Sequence, residues 1–353
     1  MMVTEADHYK EHLIPIGSSI RYALSRLDLL GTDAILFVVD AEDRLMGSLT
    51  DGDVRRGLIK GVSIENPINE ILHTEPKFLR KGERDIKKVI EYREQLYRVV
   101  PILDKAGRVV NVINFRDIRS YLPVDAVIMA GGKGLRLGSL TENIPKPLLQ
   151  VGEKPIIQHN LDRLIYFGID DFWITLNHMG EQIEEYLGNG EDRNIQIDYV
   201  WEKEPLGTIG GISGIGNFQH DYILVTNSDL LTNLDYEHFF LEFLDNEADM
   251  AVVTIPYQVN IPYAVLETSN GNVIDLKEKP SYTYYSNGGI YLMKRSVLDR
   301  IPKNTPYNAT DLMEQLIAEG NKVFSYPMLG YWLDIGNPED FEKAQRDIDM
   351  IKF

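Results

Sequence analysis

A chain of 353 residues, 44% hydrophobic and 25% charged, has the make-up of a globular protein of roughly two or three domains. Its formal charge of −18 argues against a nucleic-acid partner, which needs a basic surface, yet leaves room for a small phosphorylated ligand held by a few cations in a cleft. The chain has no cysteine, which excludes disulfides, thiolate metal sites and cysteine nucleophiles. No apolar run approaches the ~20 residues of a membrane span, and the acidic start MMVTEADHYKEH lacks the pattern of a secretory signal. A cytoplasmic protein without a membrane partner is expected.

The first third holds a duplication. FVVDAEDRLMGSLTDGDVRR, from Phe37, aligns without gaps on PILDKAGRVVNVINFRDIRS, from Pro101, so that Asp40 falls on Asp104, Arg44 on Arg108, Asp53 on Asp117 and Arg55 on Arg119, each 64 residues on. Each copy reads as strand, tight turn, strand and a short helix starting near the last aspartate. Two such units are expected to stack, because neither buries its apolar face alone. GSLTDGD, with Thr50 and Asp53 where a strand enters a helix, resembles the tandem domains of the cystathionine-β-synthase type (CBS domains). The resemblance covers residues 1–121, as repeats of about 10–62 and 66–121. It implies an α+β pair that binds an adenine nucleotide through Thr50, Asp53, Asn114 and Asp117, the aspartate holding ribose hydroxyls and the threonine approaching phosphate. It also implies a homo-oligomer formed through the pair. The second copy departs from the pattern, with Asn114 at the threonine position and Asn111 at the glycine. Asp53 and Asp117 equally suit helix caps, so an architectural pair is the alternative to a sensor.

Pro123 punctuates the join in SYLPVD. In the body, 124–353, the strand-like AVIMA, FWITLN, IQIDYVW and YILVTNSD alternate with helix-like IIQHNLDRLIYFG, EQIEEYLG and the small-residue GTIGGISGIG. Such alternation predicts an α/β fold with a Rossmann-like, mostly parallel sheet covered on both faces. Ligands are then expected beyond the carboxyl ends of AVIMA, WITLN and ILVTN. The strand AVIMA runs from Ala130 into Gly131, Gly132 and Gly134, a stretch of backbone N–H groups with no side chains to keep a phosphate away. Lys133 and Arg136 add charge, and Pro145 and Pro147 restrict the backbone around Lys146. This is a phosphate-binding arrangement. The pattern GxxxxGK[ST] is absent, and GKGLRLG misses the dinucleotide fingerprint by one residue.

AGGKGLRL…PKPLL, EKEPLGTIGG, NSDLL, KEKP, SNGGIYLM and WLDIGNPEDF resemble, in order, the motifs of sugar-1-phosphate nucleotidyltransferases, also called nucleoside-diphosphate-sugar pyrophosphorylases. The resemblance implies condensation of a nucleoside triphosphate with a sugar 1-phosphate, releasing pyrophosphate. Arg136 and Lys146 would contact the triphosphate and its transition state, and Asp229 and Asp334 would hold Mg²⁺. Lys279 would hold the sugar phosphate and Glu278 the sugar hydroxyls, with Asn287 and Gly288 bordering the sugar. Ala130, Gly131, Gly132, Gly134, Gly207 and Thr208 would surround the nucleotide. No histidine base is needed, since a phosphate monoester with a second pKa near ~6 is already largely deprotonated at neutral pH. Outside these motifs the same residues would read as surface charges, caps and turns.

Glu202 is the clue to the base. Relatives using UTP or dTTP commonly carry glutamine at the matching position, which both donates and accepts, whereas a carboxylate only accepts. Guanine offers N1–H and N2–H₂ side by side to such an acceptor. GTP is therefore the first expectation, with UTP and CTP as alternatives, and a mannose- or glucosamine-like hexose 1-phosphate as the second substrate. A nucleotide-sensing protein that binds without catalysis is the rival from another class.

Overall fold

The duplication has a backbone counterpart in the computed structural model, which describes residues 5–82 and 85–351. The first copy runs strand Leu13–Pro15, helix Ile20–Leu30, strands Ile35–Val39 and Leu45–Thr50; the second runs Leu79–Arg80, Ile86–Glu94, Val99–Leu103 and Val109–Asn114. In each, the first strand pairs parallel and the last antiparallel with the middle one. Registers and irregularities also repeat. Ile35 faces Thr50 as Val99 faces Asn114, and the pairing slips between Val38 and Val39 as it does between Ile102 and Leu103. The copies meet through their hairpin turns: Leu45 N–H donates to Gly107 O and Val109 N–H to Asp43 O, both at 3.0 Å. That reciprocity is the signature of a local pseudo-twofold. The turns are built by the aligned aspartates, since Asp40 accepts from Arg44 N–H and Asp104 from Arg108 N–H, each at 2.9 Å.

Helix Ile20–Leu30 is capped by Ser19 and buries Ile20, Ala23 and Leu27, whose helical spacing puts them on one face. They pack with Leu36, Val38, Leu49 and Val54. Helix Asp51–Ile59 starts in a capping box formed by Thr50 and Asp53. Thr50→Ala is expected to cost about 1 kcal/mol of stability, read as a lowered urea midpoint; an unchanged midpoint would show that the cap contributes nothing.

The helix expected after the second copy does not form; residues 115–117 make a turn. Leu122 precedes Pro123, which disfavours helical backbone there, and strand Val124–Met129 follows at once. Too few residues remain for a helix to nucleate.

The chain divides into two compact units, one of residues up to Pro123 with Ile165–Asp171 and Gly188–Ile197, the other of Val124–Leu164, Phe172–Leu187 and Asp198 onward. The second centres on a seven-stranded sheet in the order Gln196–Trp201, Asp171–Leu176, Val124–Met129, Tyr222–Asn227, Ser281–Lys294, Met250–Asn260 and Val323–Pro327. Ser281–Lys294 runs against both its neighbours, and the sheet is otherwise parallel where its register is described. Val124–Met129 is buried along nearly its whole length, as a central strand covered on both faces must be. GTIGGISGIG differs from expectation: it forms a single 3₁₀ turn at Gly210–Gly214, because glycine gains little from helix and loses much entropy in it. Met250–Asn260 and Ser281–Lys294 continue past the sheet as a two-stranded ribbon, with Tyr257 opposite Tyr284. Among the described residues, no helix is long and apolar enough to cross a membrane.

Candidate active site

Three neighbouring parallel strands end at one edge of the sheet, and each delivers polar groups there. Met129 leads to the glycine loop, Leu176 to Asn177, and Asn227 to Ser228 and Asp229. A cavity of about 270 Å³ opens at this edge, lined among others by Gly131, Gly132, Lys146, Glu202, Gly207, Thr208, Asn227 and Asp229.

Lys146 enters from a 3₁₀ turn, Lys146–Leu148, whose preceding Pro145 holds extended backbone. Its side chain is only 10% exposed. The ammonium donates to Asp229 Oδ2 and lies 3.9 Å from Asp334 Oδ1. Gly134 makes room for this approach: at φ +63, a Cβ there would sit 3.1 Å from Lys146 Cβ. The two aspartates are far apart in the chain but tied by a small sheet, in which Leu230 pairs with Asp334 and Ile335 N–H donates to Asp229 O at 3.1 Å. Burial, helped by the Asp229 carboxylate, pushes the Asp334 carboxyl up, against the pull of Lys146 and Arg136. Arg136 is exposed, and its guanidinium lies beside Gly336, where a Cβ would be 3.4 Å from Nη2.

Asp229 Oδ1 and Asp334 Oδ1 are buried and accept no hydrogen bond. Buried carboxylate oxygens normally find a donor. Two such oxygens beside one ammonium suit a hard divalent cation, which takes oxygen ligands, so the residues present fit the metal that the motifs imply.

Glu202 follows strand Gln196–Trp201 and is pinned by its own backbone. Its N–H donates to Leu176 O at 2.9 Å, its carbonyl accepts from Asn177 Nδ2 at 2.8 Å, and its Oε2 accepts from Leu206 N–H at 3.1 Å. Burial raises its carboxyl pKa, and the Leu206 N–H opposes the rise. Gly207 has φ +76 and would clash with Tyr307 O, 2.7 Å from a Cβ. Thr208 borders the cavity, but its hydroxyl accepts from Ala309 N–H at 2.8 Å, at the start of helix Ala309–Ala318.

The expected sugar residues lie elsewhere in the same unit. Glu278 and Lys279 are exposed and do not line the cavity; Lys279 has φ +42, in the turn before Ser281–Lys294. Asn287 donates to Tyr291 Oη at 2.8 Å and accepts from Gly289 N–H at 2.9 Å. Gly288 passes so close to Val253 that a Cβ would lie 2.8 Å from its carbonyl oxygen, and its own carbonyl accepts from Trp332 Nε1 at 2.9 Å. Ala130 is buried at the mouth of the glycine loop. Asn177 and Asn227 were not expected from the sequence, although both occupy the carboxyl ends of strands, where ligand contacts concentrate.

The front unit has two clefts. One of about 640 Å³ is lined by Thr50, Asp53, Arg56, His73 and Arg98, and one of about 390 Å³ by Tyr9, His12, Asp33, Asn114 and Asp117. Thr50 and Asp53 are engaged with each other, with Thr50 N–H donating to Asp53 Oδ2 at 2.9 Å and Arg56 pairing with Asp53 at 2.5 Å. Asn114 donates to Asp33 at 3.0 Å.

A family model described as nucleotidyl transferase matches residues 125–350. The mannose-1-phosphate guanylyltransferase of Mycobacterium tuberculosis is 34% identical over 233 residues, 64% of this chain and 64% of that protein. The chain thus spans just under two thirds of that relative. The D-glycero-alpha-D-manno-heptose 1-phosphate guanylyltransferase of Aneurinibacillus thermoaerophilus is 28% identical over 228 residues, 64% of this chain and 98% of that protein. A crystal structure from Bacillus anthracis, described as a glucose-1-phosphate thymidylyltransferase in complex with a sucrose, is 25% identical, with a TM-score of 0.52 over 65% of this chain and 97% of that one.

Proposed function

The chain belongs to the nucleotidyl transferase family, and from that premise we propose that residues 124–353 condense GTP with a mannose- or glucosamine-like sugar 1-phosphate, releasing pyrophosphate. The observation that carries this reading is the cavity at the strand ends where Lys146, Asp229, Glu202 and the glycine loop meet. A phosphate oxygen of the sugar attacks the α-phosphorus in line as pyrophosphate leaves. The demand of such a step is stabilisation of negative charge spread over phosphoryl oxygens. Lys146 supports it because its ammonium is buried and fixed before substrate arrives, so little reorganisation is needed. Gly131 and Gly132 let the triphosphate approach the backbone, and Arg136 adds charge from the rim. Lys279, on its exposed turn, would hold the sugar phosphate, with Glu278, Asn287 and Gly288 about the sugar. Asp229 and Asp334 would hold Mg²⁺, which when bound neutralises phosphate charge.

GTP is favoured because Glu202 presents a carboxylate, an acceptor without a donor, and because two relatives are named guanylyltransferases. UTP and CTP are the alternatives, and one relative is named a UTP–glucose-1-phosphate uridylyltransferase. For residues 1–121 the proposal is a CBS pair that takes an adenine nucleotide at the larger cleft, through Thr50 and Asp53, tunes the enzyme and joins copies of the chain. Pyrophosphate release is to be measured with ATP, GTP, UTP, CTP and dTTP, each against mannose, glucose and glucosamine 1-phosphates with Mg²⁺. Release with GTP and one sugar is expected; release with UTP alone would overturn the base, and binding of triphosphate with no release from any pair would favour the sensor. Calorimetric titration with ATP, ADP and AMP tests the front unit, where an absence of heat would leave it an architectural pair.

A further inference from the structure

The position of the Glu202 carboxylate depends on a residue that none of the motifs assigns to the base. A Cβ built on Gly211 would lie 2.3 Å from Glu202 Oε1, 3.2 Å from Cδ and 3.4 Å from Cγ, and these are its three nearest atoms. Contacts that short do not occur between unbonded heavy atoms in a packed protein. Gly211 lies in the turn Gly210–Gly214 and is buried, yet its backbone is not in the left-handed region that calls for glycine. What it lacks room for is therefore the tip of one side chain. Its neighbour differs: a Cβ on Gly210 would meet the backbone oxygen of Thr305 at 2.7 Å, a collision the fold itself must absorb. On the opposite side, a Cβ on Gly131 would stand 3.7 Å from Glu202 Oε2. The carboxylate thus lies between the phosphate loop and the turn, with Oε2 held by Leu206 N–H and the main chain behind it held by Asn177.

We propose that Gly211 is a specificity-determining residue: its missing side chain lets the Glu202 carboxylate lie along the turn in one orientation, and any side chain at 211 turns that acceptor away from the nucleobase. This rests on the reading that Glu202 faces the base. A carboxylate that selects between bases by accepting from two adjacent N–H groups must be fixed in direction, because a freely rotating one would meet either base with comparable cost. Pinning from three sides, by a backbone N–H, a side-chain amide and two bare Cα atoms, supplies that fixity without a second charged group, and it explains how the site keeps a half-buried acidic side chain so close to a phosphate loop.

The test is a cycle of four full-length proteins, wild type, Gly211→Ala, Glu202→Ala and the double variant, with dissociation constants for GTP and UTP measured by calorimetry in the presence of Mg²⁺. Any binding to the front unit is common to all four and cancels in the comparison. Gly211→Ala is expected to narrow the GTP-to-UTP preference tenfold or more, as Glu202→Ala does. The double variant is expected to match Glu202→Ala within about twofold, because the clashing atoms are gone and neighbouring effects then fail to add. A Gly211→Ala protein with wild-type preference, alongside a changed Glu202→Ala, would overturn the proposal alone. An unchanged Glu202→Ala preference would overturn the base reading and the proposal with it. Thermal unfolding provides the control: should Gly211→Ala fold poorly, the double variant is expected to recover, and a double variant equally damaged would show that the alanine strikes something other than Glu202.

Discussion

Lys146→Met is expected to lower kcat by about 10²–10³-fold at saturating substrates, the usual scale for removing one fixed donor to a developing charge. Methionine keeps the length of the side chain and loses only the ammonium, so the pocket wall near Gly134 stays filled. The variant leaves Asp229 without its cationic partner. Breaking a fully buried pair costs several kcal/mol, but the Asp229 side chain is 20% exposed and water takes up part of that loss. A lowered melting temperature with retained fold is therefore expected beside the kinetic defect, and a thermal scan separates the two. If KM rose while kcat stayed at the wild-type value, Lys146 would act in uniform binding of the triphosphate, and its placement on the transition state would be wrong.

Asp229→Asn is expected to cost at least about 10³-fold in rate, with recovery by added Mg²⁺ far from complete. The amide keeps the shape of the side chain and supplies a neutral oxygen where a hard cation needs an anionic one. Asp334→Asn is expected to be milder and to recover further with added metal, because the Asp229 carboxylate, closest to the ammonium, remains. Rates measured against Mg²⁺ concentration for the two variants check this. A full rate for Asp229→Asn at saturating metal would remove the aspartate from the ion's shell, and its partnerless oxygen would need another explanation.

The parts of the site that were legible in the sequence are those whose chemistry is local. A strand breaking into Gly131, Gly132 and Gly134, or a lysine between two prolines, constrains backbone within a few residues. The strand ends that carry Asn177, Glu202 and Asp229 were legible too, as ends, because apolar runs in alternation announce where a parallel sheet stops. The partners found there were not. Asp229 and Asp334 are brought together by the pairing of Leu230–Thr232 with Trp332–Asp334, short segments whose few residues carry no period. Thr208 looked like a ligand group and caps a helix instead, a task set by a neighbour about a hundred residues on. Gly211 looked like helix packing and proves to be space for one carboxylate. The missing helix after Asn114 shows the converse: the duplication matches residue for residue, but Pro123 and the strand behind it decide what the second copy has room to form.

The order of strands in the two units has a consequence for the chain while it is being made. The front repeats close their ladders locally, the first within Leu13–Thr50 and the second within Leu79–Asn114, so each finishes soon after its last residue emerges from the ribosome. Val124–Met129 does not. It ends up between Asp171–Leu176 and Tyr222–Asn227, and at ~5–20 residues per second the second of these arrives on the order of ten seconds later. For that interval the most apolar strand of the molecule waits with an unpaired edge, the state in which nascent chains stick to one another and to chaperones. The phosphate loop that follows it, with Lys133, Arg136 and Lys146, is then a charged flank on a strand that has nowhere yet to go.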